Sequence, residues 1–127
     1  MTTQIEVRSQ KIWRDSDGII HAKLKPNIDI GLQDAQEAVR AITTLCEGTR
    51  RPILVDMTEL KSMDRAARVH FSGPETALAE SAAALLVSSP LTRAIGNFFM
   101  GLNKPLFPTR LFTSEAEALD WLKSFLR

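Results

Sequence analysis

Disulfide stapling within this chain is excluded, because its 127 residues include a single cysteine, Cys46. A lone thiol suits a reducing compartment. Its place between Leu45 and Glu47, inside a helical pattern, predicts a buried, inert group rather than a nucleophile. Charge of one sign is lacking too: 16 basic residues face 15 acidic ones, for a net charge of +1 without any block of like charge. That balance argues against a nucleic-acid partner and against a polybasic membrane patch. No stretch approaches the roughly 18 apolar residues of a membrane span. Met1-Thr2-Thr3-Gln4 has neither the basic region nor the apolar core of a secretory signal. The expected setting is cytoplasmic.

Reactive constellations are equally scarce. Gly96 and Gly101 are isolated in a helical pattern, so there is no glycine-rich phosphate loop, and no GxSxG elbow occurs. His21 and His70 have no cysteine or carboxylate at metal-ligand spacing, and are read as solvated or as satisfied within the core. No catalytic residue, metal or cofactor is assigned. The chain is read as a non-enzyme.

What is present is a regular alternation of elements. The length suffices for a self-contained core, so residues 1–127 are read as one domain. Ile5, Val7 and Ile12-Trp13 mark a first extended segment, and Ile19, Ile20, Ala22 and Leu24 a second. Asp17-Gly18 between them signals an antiparallel hairpin, since glycine readily takes positive φ. After Pro26-Asn27, either Asp29 or Gly31 caps a helix carrying Leu32, Ala35, Val39, Ile42 and Leu45, and Gly48 closes it. The apolar run Ile53-Leu54-Val55, ending in Asp56, predicts a central strand buried on both faces. Arg50-Arg51 before it are read as a solvated loop.

Asp64 then caps a short helix to about Phe71, with Ala66, Ala67 and Val69 expected inward and Arg65 and Arg68 outward. Pro74 suits the first turn of a second helical piece to about Ser81, with Ser72 and Glu75 as a capping box. Ala82 to Val87, stopped by Ser88-Ser89-Pro90, is read as another buried strand. A helix from Pro90 to about Leu102, a strand from Thr109 to Thr113 and a helix opened by Ser114 complete the order. Strands alternating with helices after a hairpin imply an α/β fold with a mostly parallel central sheet, an antiparallel N-terminal edge and about four helices.

These residues resemble the SpoIIAA-like superfamily, which includes the STAS domains of anti-sigma factor antagonists and sulfate-transporter tails. The likeness rests on the element order, on the strand Ile53 to Asp56 leading to a helix begun at Asp64, and on the ending Pro105-Leu106-Phe107-Pro108-Thr109-Arg110-Leu111-Phe112-Thr113 followed by Glu117-Ala118-Leu119-Asp120-Trp121-Leu122. It is strongest with an uncharacterised bacterial group of that superfamily. In the phospho-regulated members, a segment like Asp-Ser-Ser-Gly opens the helix, and a kinase modifies its serine. Here Asp64 matches, but Arg65 and Ala66 replace the serines and Ala67 the glycine. Ser62 lies on the wrong side of Asp64. The resemblance therefore implies an interaction module without the phosphoserine switch.

Sites at the carboxyl end of parallel strands are the usual ones in open α/β sheets. The candidate partner surface is accordingly Asp56, Ser62, Asp64, Arg65 and Arg68, joined by Thr92 and Arg93 at the start of the next helix. Each has an ordinary structural use as well: Asp56 as an acceptor of backbone hydrogen bonds, Asp64 as a helix cap, the arginines as a solvated face. An apolar surplus follows, with four of the six phenylalanines at positions 98, 99, 107 and 112. Ile95, Phe98, Phe99, Met100 and Leu102 are candidates for a homodimer interface or an apolar pocket, against a thick ordinary core. The leading expectation is a regulatory module with a protein partner, self-associating as a homodimer. The alternative is a carrier or sensor of a small apolar, lipid-like ligand, since the superfamily description extends to proteins resembling CRAL-TRIO lipid carriers.

Overall fold

The first turn is organised by the Asp15 carboxylate. Its Oδ1 accepts the backbone N–H groups of Asp17 and Ile19 at 2.9 and 3.0 Å, and its Oδ2 lies 2.8 Å from His21 Nε2. Gly18 completes the turn at φ +93°, where a side chain would be strained. This turn joins β2 (Gln10–Arg14) to β3 (Ile20–Leu24) as the expected antiparallel hairpin. The first extended segment is not continuous, however. The Val7 N–H bonds to the Gln10 carbonyl at 3.0 Å, turning the chain back so that β1 (Gln4–Glu6) pairs antiparallel with β2. The edge is therefore a three-stranded meander. The structure is a computed structural model and describes residues 3–100 and 105–126.

The remaining elements are β4 (Asp29–Ile30), α1 (Leu32–Cys46), β5 (Arg51–Asp56), β6 (Ser62–Met63), α2 (Arg65–Phe71), α3 (Pro74–Ala79), β7 (Glu80–Leu86), α4 (Pro90–Met100), β8 (Thr109–Phe112) and α5 (Glu115–Lys123). The main sheet has the order β1-β2-β3-β5-β7-β8, and β3, β5, β7 and β8 run parallel. The fold is thus α/β with a mostly parallel sheet and an antiparallel N-terminal edge. The second helix is broken: Gly73 precedes α3, Pro74 fills its first position, and the Ser72 hydroxyl donates back to the Arg68 carbonyl at 2.9 Å. The Ser72–Glu75 capping box therefore does not form. A small parallel pair, β4 with β6, lies outside the sequence reading, because two residues are too few to show periodicity.

The two sheet faces are covered unequally. One carries the larger core, where Ile20, Ala22, Leu24 and Ile53 meet Ala35, Ala38, Ile42 and Leu45 of α1, together with Ala67, Ile95 and Phe99. On the other, Ala118 and Leu122 of α5 pack on Ile19, Leu54, Ala82, Ala84 and Leu86. Alanine at positions 82 and 84 leaves room for the helix to close on β7. Fully burying a side chain such as Leu122 stabilises the fold by about 1.5–3 kcal/mol. Close approach recurs at Gly96 of α4, where an added Cβ would stand 2.6 Å from the Leu111 side chain of β8.

Arg50 stays exposed while donating to the Glu80 carbonyl at 2.9 Å, and Arg51, the half-buried first residue of β5 rather than a loop residue, donates to the Cys46 carbonyl at 3.1 Å. At the end of α1, Arg14 bonds the Leu45 carbonyl at 2.9 Å, placing a cation where the helix dipole is negative.

Candidate functional site

At the carboxyl edge of the sheet, the polar candidates are engaged in building the loops. Asp56 Oδ1 accepts the Thr58 N–H at 3.0 Å and the Thr58 hydroxyl at 2.6 Å, closing a turn directly after β5. Asp64 Oδ1 accepts the Ala67 N–H at 2.9 Å and so caps α2. The Asp64 N–H donates to the Ile30 carbonyl at 3.0 Å, fastening that cap to β4. Thr92, fully buried, accepts the Ser88 and Ser89 N–H groups at 3.0 and 2.9 Å, while Ser89 Oγ accepts the Thr92 N–H at 3.1 Å. This reciprocal pair caps α4. Ser88 Oγ donates to the Thr58 carbonyl at 3.1 Å and ties the loops after β5 and β7 together.

Ser62 donates its hydroxyl to Asp29 Oδ1. That bond, with Lys61 beside it, holds the Asp29 carboxyl below the usual carboxylate range. Arg68 is drawn inward: it donates to the Met63 carbonyl, and its guanidinium lies 4.0 Å from the Phe98 ring centroid. It therefore joins β6, α2 and α4. Rotating Arg68 in rotates Val69 out, so the expected inward face of α2 is corrected: Ala67 is buried, Ala66 is exposed and Val69 is 45% exposed.

What remains open at this edge is Arg65, Arg93 and a shallow apolar surface lined by Leu32, Ala66 and Val69 beside Arg65 and His70. Leu32 is 42% exposed. Arg68 and Phe98 bring α2 and α4 together at one point. Among the described residues, no group of three or more His, Cys, Asp or Glu side chains could hold a metal ion, and no helix is long and apolar enough to cross a membrane.

The apolar candidates divide by depth. Ile95 and Phe99 face inward and belong to the larger core, Phe98 is half-buried under Arg68, and Met100 is 42% exposed. Leu102 lies outside the described residues. Behind Phe99 is a cavity of about 50 Å³ between the sheet and its helical cover, walled by Leu24, Ile53, Val55, Leu85 and Phe107 among others. Its polar lining residues are Gln10, Glu80 and Thr109.

Glu80 is the functional candidate that sequence reasoning missed. Its residue is 5% exposed, and burial pushes its carboxyl up to about 8. A register slip puts it there. Arg51 pairs with Glu80 but Pro52 with Ala82, so Ser81 has no partner on β5 and Glu80 turns to the face of Ala83 and Leu85. A bulge re-aims a side chain in this way. The available signal was Glu80 as the one charged residue between Glu75 and Arg93. Cys46, nearby, donates to the Ala79 carbonyl at 3.5 Å, and burial with the Glu80 charge pushes its thiol up to about 11. That thiol is inert.

The arrangement of sheet and crossovers is that of the SpoIIAA-like fold. An uncharacterised protein of the DUF3478 family from Shewanella loihica PV-4, with a SpoIIAA-like fold, superposes at a TM-score of 0.61 and 19% identity, over 96% of this chain and 98% of that one. More particularly, the model of a domain of unknown function, DUF7793, matches residues 12–126. The chain belongs to the DUF7793 family. A protein with unknown function from Arthrobacter sp. FB24 is 33% identical over 95% of this chain and 98% of that one, with a TM-score of 0.33. No curated protein matches.

Proposed function

We propose that the chain is a non-enzymatic regulatory or protein-interaction module, acting in the cytoplasm as a homodimer and without a phosphoserine switch. The observation that carries this reading is the division of labour at the carboxyl edge. Asp56, Asp64 and Thr92 are committed to turns and caps. Arg65 and the apolar surface of Leu32, Ala66 and Val69 stay outside. A small exposed apolar patch with a cation at its rim fits a protein partner carrying an apolar anchor and a carboxylate.

The test compares capture by the wild type with capture by Arg65→Glu combined with Val69→Asp. The reading expects an enriched protein to be lost from the variant while stability changes by less than about 0.5 kcal/mol, as for surface substitutions. Equal capture by both would overturn it. Light scattering checks the homodimer, with a monomer at tens of micromolar as the contrary result. A second reading, a sensor of a small apolar ligand, is supported by the interior cavity behind Phe99.

A further inference from the structure

The main sheet ends on one side at β8, and among the described residues no strand pairs with its outer edge. The Pro108 and Phe112 carbonyls accept the Ala83 and Val87 N–H groups, both at 2.9 Å, and Thr109 to Phe112 pair in parallel with Ala83 to Leu86. Alternation along the strand then aims the N–H and C=O groups of Thr109 and Leu111 away from β7. Such a row is a template for another strand.

Edges that stay solitary are short, charged or covered. The opposite edge, β1, fits that description: Gln4 and Glu6 are exposed, and Glu6 is ion-paired with Lys25 at 2.6 Å. The β8 edge differs. Helix α5 packs on Leu54, Ala82, Ala84 and Leu86 of β5 and β7, inward of this edge. Leu106, 66% exposed, and Met100, 42% exposed, share a groove with Thr109, Arg110 and Trp121. Arg110, the one charged residue of the strand, is folded over Phe112 and Trp121, its guanidinium 5.3 and 5.5 Å from their ring centroids. Its charge therefore lies over the sheet face rather than along the edge.

The strand is also complementary to itself. Two copies related by a two-fold axis at Leu111 run antiparallel, exchange both backbone bonds between their Leu111 residues, and set Arg110 opposite Phe112 of the second copy. A cation then meets an aromatic ring at the closely spaced, non-hydrogen-bonded positions. Moving the axis to Arg110 sets like charges directly opposite, which is destabilising. Moving it to Phe112 carries the pairing past the end of the strand.

We propose that β8 is the homodimer surface: its outer edge pairs antiparallel with β8 of a second copy of this chain, centred on Leu111, to make one continuous sheet. This rests on the homodimer reading above and names its surface.

The experiment oxidises the full chain carrying Arg110→Cys, the full chain carrying Phe112→Cys, and an equimolar mixture of the two. Directly opposed, non-hydrogen-bonded residues lie about 4.5 Å apart at Cα, inside the disulfide window of about 4.4–6.8 Å. Either position and its own copy are diagonal neighbours, about 7–8 Å apart, too far to bridge. Cys46 is buried, with its thiol pushed up to about 11, and stays out of the reaction. The mixture is expected to give at least about fivefold more disulfide dimer than either variant alone, and its second Arg110–Phe112 pair remains intact. Independently, Thr109→Pro removes an outward donor without touching a bond to β7, and is expected to weaken the dimer about tenfold in sedimentation velocity. Thr109→Val, which loses the same hydroxyl bond to the Phe107 carbonyl but keeps the donor, should stay within about threefold of the wild type. A dimer whose mixture cross-links no better than the single variants, or a folded Thr109→Pro variant of undiminished affinity, would overturn the β8 surface and leave the homodimer reading intact. A monomeric wild type at tens of micromolar would remove both.

Discussion

Replacing Glu80 by glutamine should change how stability depends on pH more than it changes stability itself. In the folded chain the carboxyl is pushed from 4.5 up to about 8 by burial. Between those values the folded state holds a proton that the unfolded state has released. Stability therefore falls as pH rises, by about 1.4 kcal/mol per pH unit, and levels off above the folded value. Below the unfolded value the contribution is fully present. From pH 5.5 to 7.5 the loss amounts to roughly 3 kcal/mol, a large share of the ~5–15 kcal/mol of a typical domain. Facing Glu80 from α1 is Cys46, whose thiol at about 11 keeps its proton throughout. Arg51 pairs with Glu80 across the sheet, and Arg50 donates to the Glu80 carbonyl at 2.9 Å. Glutamine has no proton to lose, so the variant should lack this slope. Urea unfolding of both proteins at half-unit steps of pH measures the difference. Parallel profiles would refute the reasoning, for they would mean that Glu80 ionises in the folded chain as it does in water.

Other perturbations test the remaining structure. Phe99→Ala should cost about 3–5 kcal/mol, because the ring is 5% exposed in the larger core; a loss under 1 kcal/mol by chemical denaturation would mean it faces outward. Arg68→Ala should cost about 1–3 kcal/mol, since the Met63 carbonyl loses a charged donor and Phe98 its cover, whereas Arg65→Ala should be neutral within about 0.5 kcal/mol. Similar melting shifts for both arginines would contradict their different placement.

Much of the fold was legible because its signals are local. Asp17-Gly18 marked the hairpin, Asp64 and Ser114 opened helices, and the run Ile53 to Val55 read as a doubly covered strand. The candidate site was legible in position but not in use. That Asp56 ends its strand and that Asp64 and Thr92 lie beyond the strand ends follows from the element order, while the hydrogen bonds that occupy them depend on loops meeting in space. Arg68 was misplaced because charge suggested solvent, and only the approach of Phe98 from another helix shows its role. Glu80 was hidden by a bulge. Strict alternation counted back from Ala83 puts Ser81, not Glu80, on the cavity face, and a bulge leaves no mark in the residues themselves.

The central claim, recognition of a protein partner at the start of α2, is tested most directly by site-specific photo-crosslinking. A benzophenone side chain at Val69, in the exposed apolar patch, is compared with one at Leu78, which is 78% exposed on α3 and outside that patch. Illumination in host cells should give a discrete heavier adduct from position 69 and none from position 78. Adducts of equal yield from both positions, or none from position 69 in a folded protein, would contradict the account.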